Sequence, residues 1–231
     1  MTPLELRADV PALGDGVYLN HGAHGPSPQY VVEAATEFVT DHEFVVPRED
    51  DPYRRAFAEF DRTRDRVAAS LGADPDEIAL TESTTAGINA IAGGIDWEPG
   101  DVVVRTDLEH PAGTLPWQRL EELGVEVRVV EAEGGRLDLD AYADAVADAE
   151  LVCFSAITWT HGTVLPVETL VDVAHETGTF VLVDAVQVPG QRPVDVTDWG
   201  ADAVAGAGHK WLLGLWGGGF LYVDRETAET L

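Results

Sequence analysis

The sequence predicts an α/β protein with a doubly wound, mostly parallel sheet of about seven strands and helices on both faces. Two observations carry that expectation. Short β-like runs alternate with segments of helical period, the pattern that βαβ crossovers produce. Several of the runs are continuously apolar, as strands covered on both faces must be.

The runs are 77–81, 101–105, 125–131, 151–156, 180–184, 201–205 and 220–223. Between them, Pro52–Leu71 places Phe57, Phe60, Arg64, Val67 and Leu71 at three- and four-residue spacing. Arg64 interrupts the stripe, yet the period and Gly72 at its end predict an amphipathic helix with a glycine cap. Pro166–Thr177 follows the same logic. Val167, Leu170, Val171 and Ala174 share a face, Pro166 starts it and Gly178 stops it. The last run follows too closely on its predecessor for a crossover helix, so it is expected to pair antiparallel. Ligands of such sheets sit beyond the carboxyl ends of the strands, so the polar residues there are the ones to inspect.

Composition narrows the classes of function. The 231 residues carry 42 acidic and 14 basic side chains, a formal charge of −28. That excess argues against nucleic acid and anionic membrane surfaces as partners. Self-repulsion of this size weakens a compact state in dilute salt. It is largely screened when the Debye length falls to about 3 Å near 1 M. The acidity therefore reads as adaptation to a salty, halophilic cytosol. One cysteine, Cys153, lies in an apolar run and has no internal disulfide partner, which fits a reducing compartment. No apolar stretch approaches the length of a membrane span and no leader pattern opens the chain. A cytoplasmic protein is expected.

The chain has one lysine, Lys210, in Gly208-His209-Lys210-Trp211. An amine can shed its proton and attack a carbonyl, which a guanidinium cannot. A chance survivor in a lysine-poor chain is the plainer reading. Asp184 ends an apolar strand, where a carboxylate needs a cation or donors, or simply caps the next turn. Ser83-Thr84-Thr85 falls between a strand and a helix, either as an ordinary N-cap or as an anion site. His110 follows a strand on a loop near the same edge and can stack on an aromatic ligand. His21-x-x-His24 has metal-ligand spacing without a partner cluster, so no metal is expected. A P-loop reading fails because Trp211 stands where serine or threonine is required.

Five motifs in order resemble the class V aminotransferase family, which includes cysteine desulfurases and isopenicillin N epimerase-like proteins. They are Ser83-Thr84-Thr85, Glu109-His110, Trp159-Thr160-His161-Gly162-Thr163, Asp184-Ala185-Val186-Gln187 and Gly208-His209-Lys210. The resemblance runs from Tyr18 to about Val223. It implies a fold-type-I large domain binding pyridoxal 5′-phosphate (PLP), with a small amino acid as substrate. It further implies that Lys210 forms a Schiff base and shuttles a proton, and that Asp184 pairs with the pyridine nitrogen. Gln187 would face the phenolic oxygen and His110 the ring. Ser83, Thr84, Thr85 and His209 would hold the phosphate. Asn20 and His21 would lie near the substrate. Residues 1–50 are assigned to an N-terminal segment and 51–231 to the PLP-binding domain.

The chain departs from the family pattern in several places. Ala207 replaces a serine whose hydroxyl would bind phosphate, a loss of about 1.5–3 kcal/mol, or about ten- to a hundredfold in affinity. Trp159 stands where desulfurases carry asparagine, and Leu215 where a proline is common. No cysteine follows the lysine. The family continues beyond a point equivalent to Leu231 into a small C-terminal domain that clamps the substrate carboxylate. Either a homodimer or a complementing C-terminal domain is therefore expected, with an apolar patch to receive it. An inactive PLP-binding or structural remnant is the alternative.

Overall fold

In the computed structural model, residues 1–14 and 16–229 are described. Seven strands form one sheet: β1 (Ile78–Thr81), β2 (Val102–Thr106), β3 (Glu126–Val130), β4 (Leu151–Ser155), β5 (Phe180–Asp184), β6 (Ala203–Ala207) and β7 (Gly219–Val223). Their spatial order is β1-β7-β6-β5-β4-β2-β3. Strands β3, β2, β4, β5 and β6 are joined by parallel pairings. β7 runs antiparallel to both β6 and β1, as its short connection required.

Each expected run became a strand. The largest difference is in β6, which begins two residues later than the apolar pattern predicted. The reason is Asp202. Its carboxylate accepts the Val181 amide at 2.7 Å and its carbonyl accepts the Asp224 amide at 2.9 Å, so it anchors the entry to β6. Ala205 then lies opposite Asp184, and Ala207 stands at the carboxyl end.

The helices are α1 (Pro3–Ala8), α2 (Gln29–Phe44), α3 (Val46–Glu49), α4 (Pro52–Leu71), α5 (Thr84–Gly94), α6 (Leu115–Leu120), α7 (Leu139–Val146), α8 (Val167–His175) and α9 (Arg225–Ala228). α4 has the predicted bounds. Asp51 caps its amide end, and Gly72 ends it at φ 76°, a left-handed conformation that costs glycine little. Arg64 interrupts the apolar stripe harmlessly, because its guanidinium turns back to Asp61 at 2.7 Å. α8 begins one residue later than predicted, with Pro166 as its cap, and buries Val167, Leu170, Val171 and Ala174.

Two apolar layers flank the sheet. One joins Phe154, Leu170, Val183 and Tyr142 beneath α7 and α8. The other joins Ile88, Trp117, Leu151 and Leu182 beneath α5 and α6. Helices on both faces leave the carboxyl ends of the strands open, and the chemistry-bearing residues gather there. Among the described residues, no helix is long and apolar enough to cross a membrane.

Candidate active site

A cavity of about 540 Å³ opens beyond the carboxyl ends of the strands. Its lining comes from several connections. Ser83, Thr84 and Thr85 follow β1, His110 follows β2 and Trp159 follows β4. Asp184 ends β5, and His209 and Lys210 follow β6. Asn20 closes the cavity from the N-terminal arm. Residues up to 127 positions apart, from Ser83 to Lys210, thus meet in one pocket because the strands bring these ends to one edge.

Asp184 is buried at the strand end. Burial raises its carboxyl to about 6, opposed by the Val186 amide and by the positive charge of Lys210. The Val186 amide donates to Asp184 Oδ1 at 2.9 Å, so Asp184 does cap the following turn. It nevertheless lines the cavity and senses the lysine. Burial lowers the Lys210 ammonium, and Asp184 partly restores it. An amine so depressed is closer to its nucleophilic free-base form.

The Ser83-Thr84-Thr85 turn divides its labour. Ser83 Oγ accepts the Ala86 amide at 3.1 Å and caps α5. Thr84 Oγ1 is buried and has no partner among the described residues. A buried hydroxyl without a partner is costly, and a ligand oxygen reached from the cavity would satisfy it. It sits at the amide end of an eleven-residue helix, where backbone N–H groups favour an anion. His209 stacks on Trp216 with ring centres 4.0 Å apart. Burial, Lys210 and His24 lower its pKa. These groups fit a phosphate-bearing aromatic cofactor. Ala207 offers only a methyl at the end of β6.

His110 accepts the Ala112 amide at its Nδ1 (3.2 Å) and meets Trp159 edge-on at 5.2 Å. Burial first, then Lys210, lowers its pKa, which favours a neutral ring suited to stacking. Gln187 and His21 lie behind the cavity lining. Trp211 Nε1 donates to Gln187 Oε1 at 2.6 Å, and Gln187 Nε2 donates to the Gly22 carbonyl at 2.9 Å. His21 stacks on Trp211 at 5.6 Å. Both residues therefore bind the N-terminal arm to the lysine loop.

Two features were not legible as site residues. Gly25 donates its amide to the His209 carbonyl at 2.8 Å. A side chain there would meet the Lys210 carbonyl oxygen 1.8 Å from its Cβ. Glu109 is buried with its carboxyl beneath the His110 loop. Its position in the Glu109-His110 motif was the only signal. Cys153 is fully buried within β4, and burial pushes its thiol well above the ordinary value, so it is an inert core residue.

A doubly wound sheet that gathers an amine, a buried carboxyl, an imidazole and an unsatisfied helix-end hydroxyl in one cavity defines a site for a phosphorylated, carbonyl-bearing aromatic group. The Aminotransferase class-V profile matches residues 17–231, and the chain belongs to that family. It is 41% identical over 232 residues to a probable cysteine desulfurase of Methanothermobacter thermautotrophicus, covering 98% of this chain and 58% of the relative. It is 36% identical over 224 residues to a cysteine desulfurase of Haloferax volcanii, covering 93% of this chain and 52% of the relative. The apo cysteine desulfurase of Thermococcus onnurineus NA1 superposes with a TM-score of 0.90 at 32% identity, covering 100% of this chain and 59% of that one. A C-DES mutant with glycine covalently linked to its PLP cofactor gives 0.88 at 27%, covering 96% and 60%. The chain thus spans a little over half the length of these relatives.

Proposed function

We propose that this chain forms the cofactor-binding part of a PLP-dependent enzyme acting on a small amino acid, with Lys210 as its Schiff-base residue. The observation that carries this reading is the meeting of Lys210, Asp184, His110 and the unpartnered Thr84 hydroxyl in one cavity. When bound, PLP supplies an electron sink that stabilises negative charge at the substrate α-carbon.

The chain's own residues supply the rest. Asp184 holds a proton at the pyridine nitrogen, and its burial strengthens that pairing. Lys210, depressed by burial, moves the α-carbon proton. His110 packs on the ring and keeps water from it. Thr84, Thr85 and the α5 amides hold the phosphate, with Ser83 fixing the turn and His209 beside it. Gln187 is held from two sides and keeps one amide N–H for the phenolic oxygen. Asn20 and His21 bring the N-terminal arm towards the substrate side.

The reaction falls among aminotransferase, lyase or desulfurase, and epimerase chemistry. Cys153, buried in β4, provides no accessible sulfur-accepting thiol, so desulfuration would need an acceptor outside residues 1–231. The exposed apolar face of α4 and the 212–216 loop is read as the seat of a second copy or a C-terminal domain. A cytoplasmic, high-salt setting agrees with the reduced buried thiol and the charge of −28. Ala207, which removes a phosphate hydroxyl, favours one further reading, an inactive PLP-binding or structural remnant.

An absorbance spectrum in high salt with added PLP, beside Lys210→Ala, tests the assignment. A visible band removed by borohydride and absent in the variant is the expected result. No band in either protein, or the same band in both, would overturn it.

A further inference from the structure

Glu109 is a buried carboxyl to which the chemistry above gives no task. It is 8% exposed and has no cation paired with it among the described residues. Three donors hold it instead. Thr106 Oγ1, at the end of β2, donates to Oε1 at 2.6 Å. The Ser155 amide, at the end of β4, donates to Oε1 at 3.1 Å, and Ser155 Oγ donates to Oε2 at 2.6 Å. The side chain therefore bridges the loop after β2 to the neighbouring strand.

The placement is specific to the site. Ser155 lies opposite Asp184 in the β4–β5 register, and the Ala156 amide donates to the Asp184 carbonyl at 2.9 Å. The next residue after Glu109 is His110, which caps the short turn Pro111–Gly113 and lines the cavity. A side chain at Gly113 would meet Glu109 Oε2 at 3.3 Å, so the turn sits directly on the carboxyl. One hydrophobic residue here would keep the core filled but would leave Ser155 Oγ and the Thr106 hydroxyl without acceptors. A carboxyl satisfies three donors at once and fixes the loop in height and rotation.

We propose that Glu109 is a positioning residue: its buried carboxyl pins the β2–α6 loop to the end of β4 and thereby sets the His110 imidazole against the cavity. The inference rests on the PLP reading only for the consequence it has on cofactor affinity. The positioning itself is read without cofactor. Groups facing this anchor are Asp184 from β5 and Cys153 from β4, with Lys210 facing His110. Burial, and then Asp184, raises the Glu109 carboxyl, so the neutral amide of glutamine is a close replacement.

The test is the titration of all seven histidines by NMR on the cofactor-free chain in high salt, for wild type, Glu109→Gln and Glu109→Ala. In wild type, His110 titrates below the ordinary histidine range. In Glu109→Ala its pKa is expected to return towards that range while the other six histidines stay put, because the ring leaves its buried seat. Glu109→Gln is expected to keep the wild-type His110 titration. With PLP added, the alanine variant binds about tenfold more weakly and the glutamine variant within about threefold. His110 unchanged in the alanine variant, or all seven histidines shifting together, would overturn the proposal. If Glu109→Ala does not fold, Ser155→Ala decides. It removes one donor and is expected to move His110 in the same direction by less, and an unmoved His110 sinks the idea. Failure of PLP binding in wild type would sink the cofactor assignment but leave the histidine result standing.

Discussion

The nine-residue helix α8 buries four side chains, whereas the sixteen-residue α2 buries none and the twenty-residue α4 buries only Ala68 and Leu71. α4 is the more polar helix, with Arg64 interrupting its stripe, yet it still carries Phe57, Phe60, Val67 and Leu71 along one face. α8 lies on the parallel half of the sheet. α4 points Tyr53, Phe57 and Phe60 outward, with Phe57 61% and Phe60 53% exposed. Beside them, a cavity of about 580 Å³ runs along α4 to Leu215 and Trp216. Exposed apolar patches of this size are commonly docking surfaces in other proteins. The face of α8 is thus packed, and the face of α4 carries apolar surface open to solvent.

The largest effect should come from the cavity. Asp184→Asn keeps PLP binding measurable but lowers turnover of the complete enzyme about a hundred- to a thousandfold, the usual cost of removing one preorganised charge partner. Steady-state kinetics check this, and unchanged turnover removes Asp184 from its role. Next, Leu170→Ala on α8 should cost about 2–5 kcal/mol. Phe57→Ala on α4 should stay within about 0.5 kcal/mol for the isolated chain. Urea midpoints of the two variants measure the contrast directly. Equal losses would mean that α4 is already packed in solution, and light scattering would then show a larger species.

A third test uses pH. Glu109 titrates near 7 in the folded chain against an ordinary 4.5. Its raised value contributes stability fully present below about 4.5 and lost as pH rises through about 7. The loss amounts to about 3 kcal/mol at most. Glu109→Gln removes that slope, so its melting point should gain on wild type between pH 5 and 7.5. A constant difference would show that the carboxyl does not titrate in this window. The last effect is general. Raising NaCl from low to molar concentration should stabilise the chain by about 1–2 kcal/mol, or about 2–8 °C, because screening weakens self-repulsion.

Much of this architecture was legible in the sequence, because burial on two faces forces continuous apolar runs and crossovers force helical period between them. Both helices that were assigned from their stripes formed, and α4 kept its predicted ends because Asp51 and Gly72 carry local capping chemistry. The start of β6 was misplaced because Asp202 makes tertiary hydrogen bonds that no local pattern encodes. Strand-end residues alone outlined the cavity at Ser83–Thr85, His110, Asp184 and Lys210, and the resemblance supplied Asn20 and His209. The roles of Gly25 and Glu109 could not, since one acts through the side chain it lacks and the other through partners on a different strand. The pairing of Gln187 and His21 with Trp211 was hidden for the same reason.

The strap that the N-terminal arm lays over the lysine loop has a consequence for how the protein is made. Ser27 donates to the Gly214 carbonyl across 187 positions, and Gly25 reaches the His209 carbonyl nearby. At about 5–20 residues per second, the arm emerges from the ribosome about 10–40 s before its seat exists. Those contacts need β6 and the loop after it to be in place, which makes them among the most non-local in the chain. The lysine loop is therefore completed by residues made long before it, and a nascent chain stalled before β6 holds Ser83, Thr84, Thr85, His110 and Asp184 without the reactive amine.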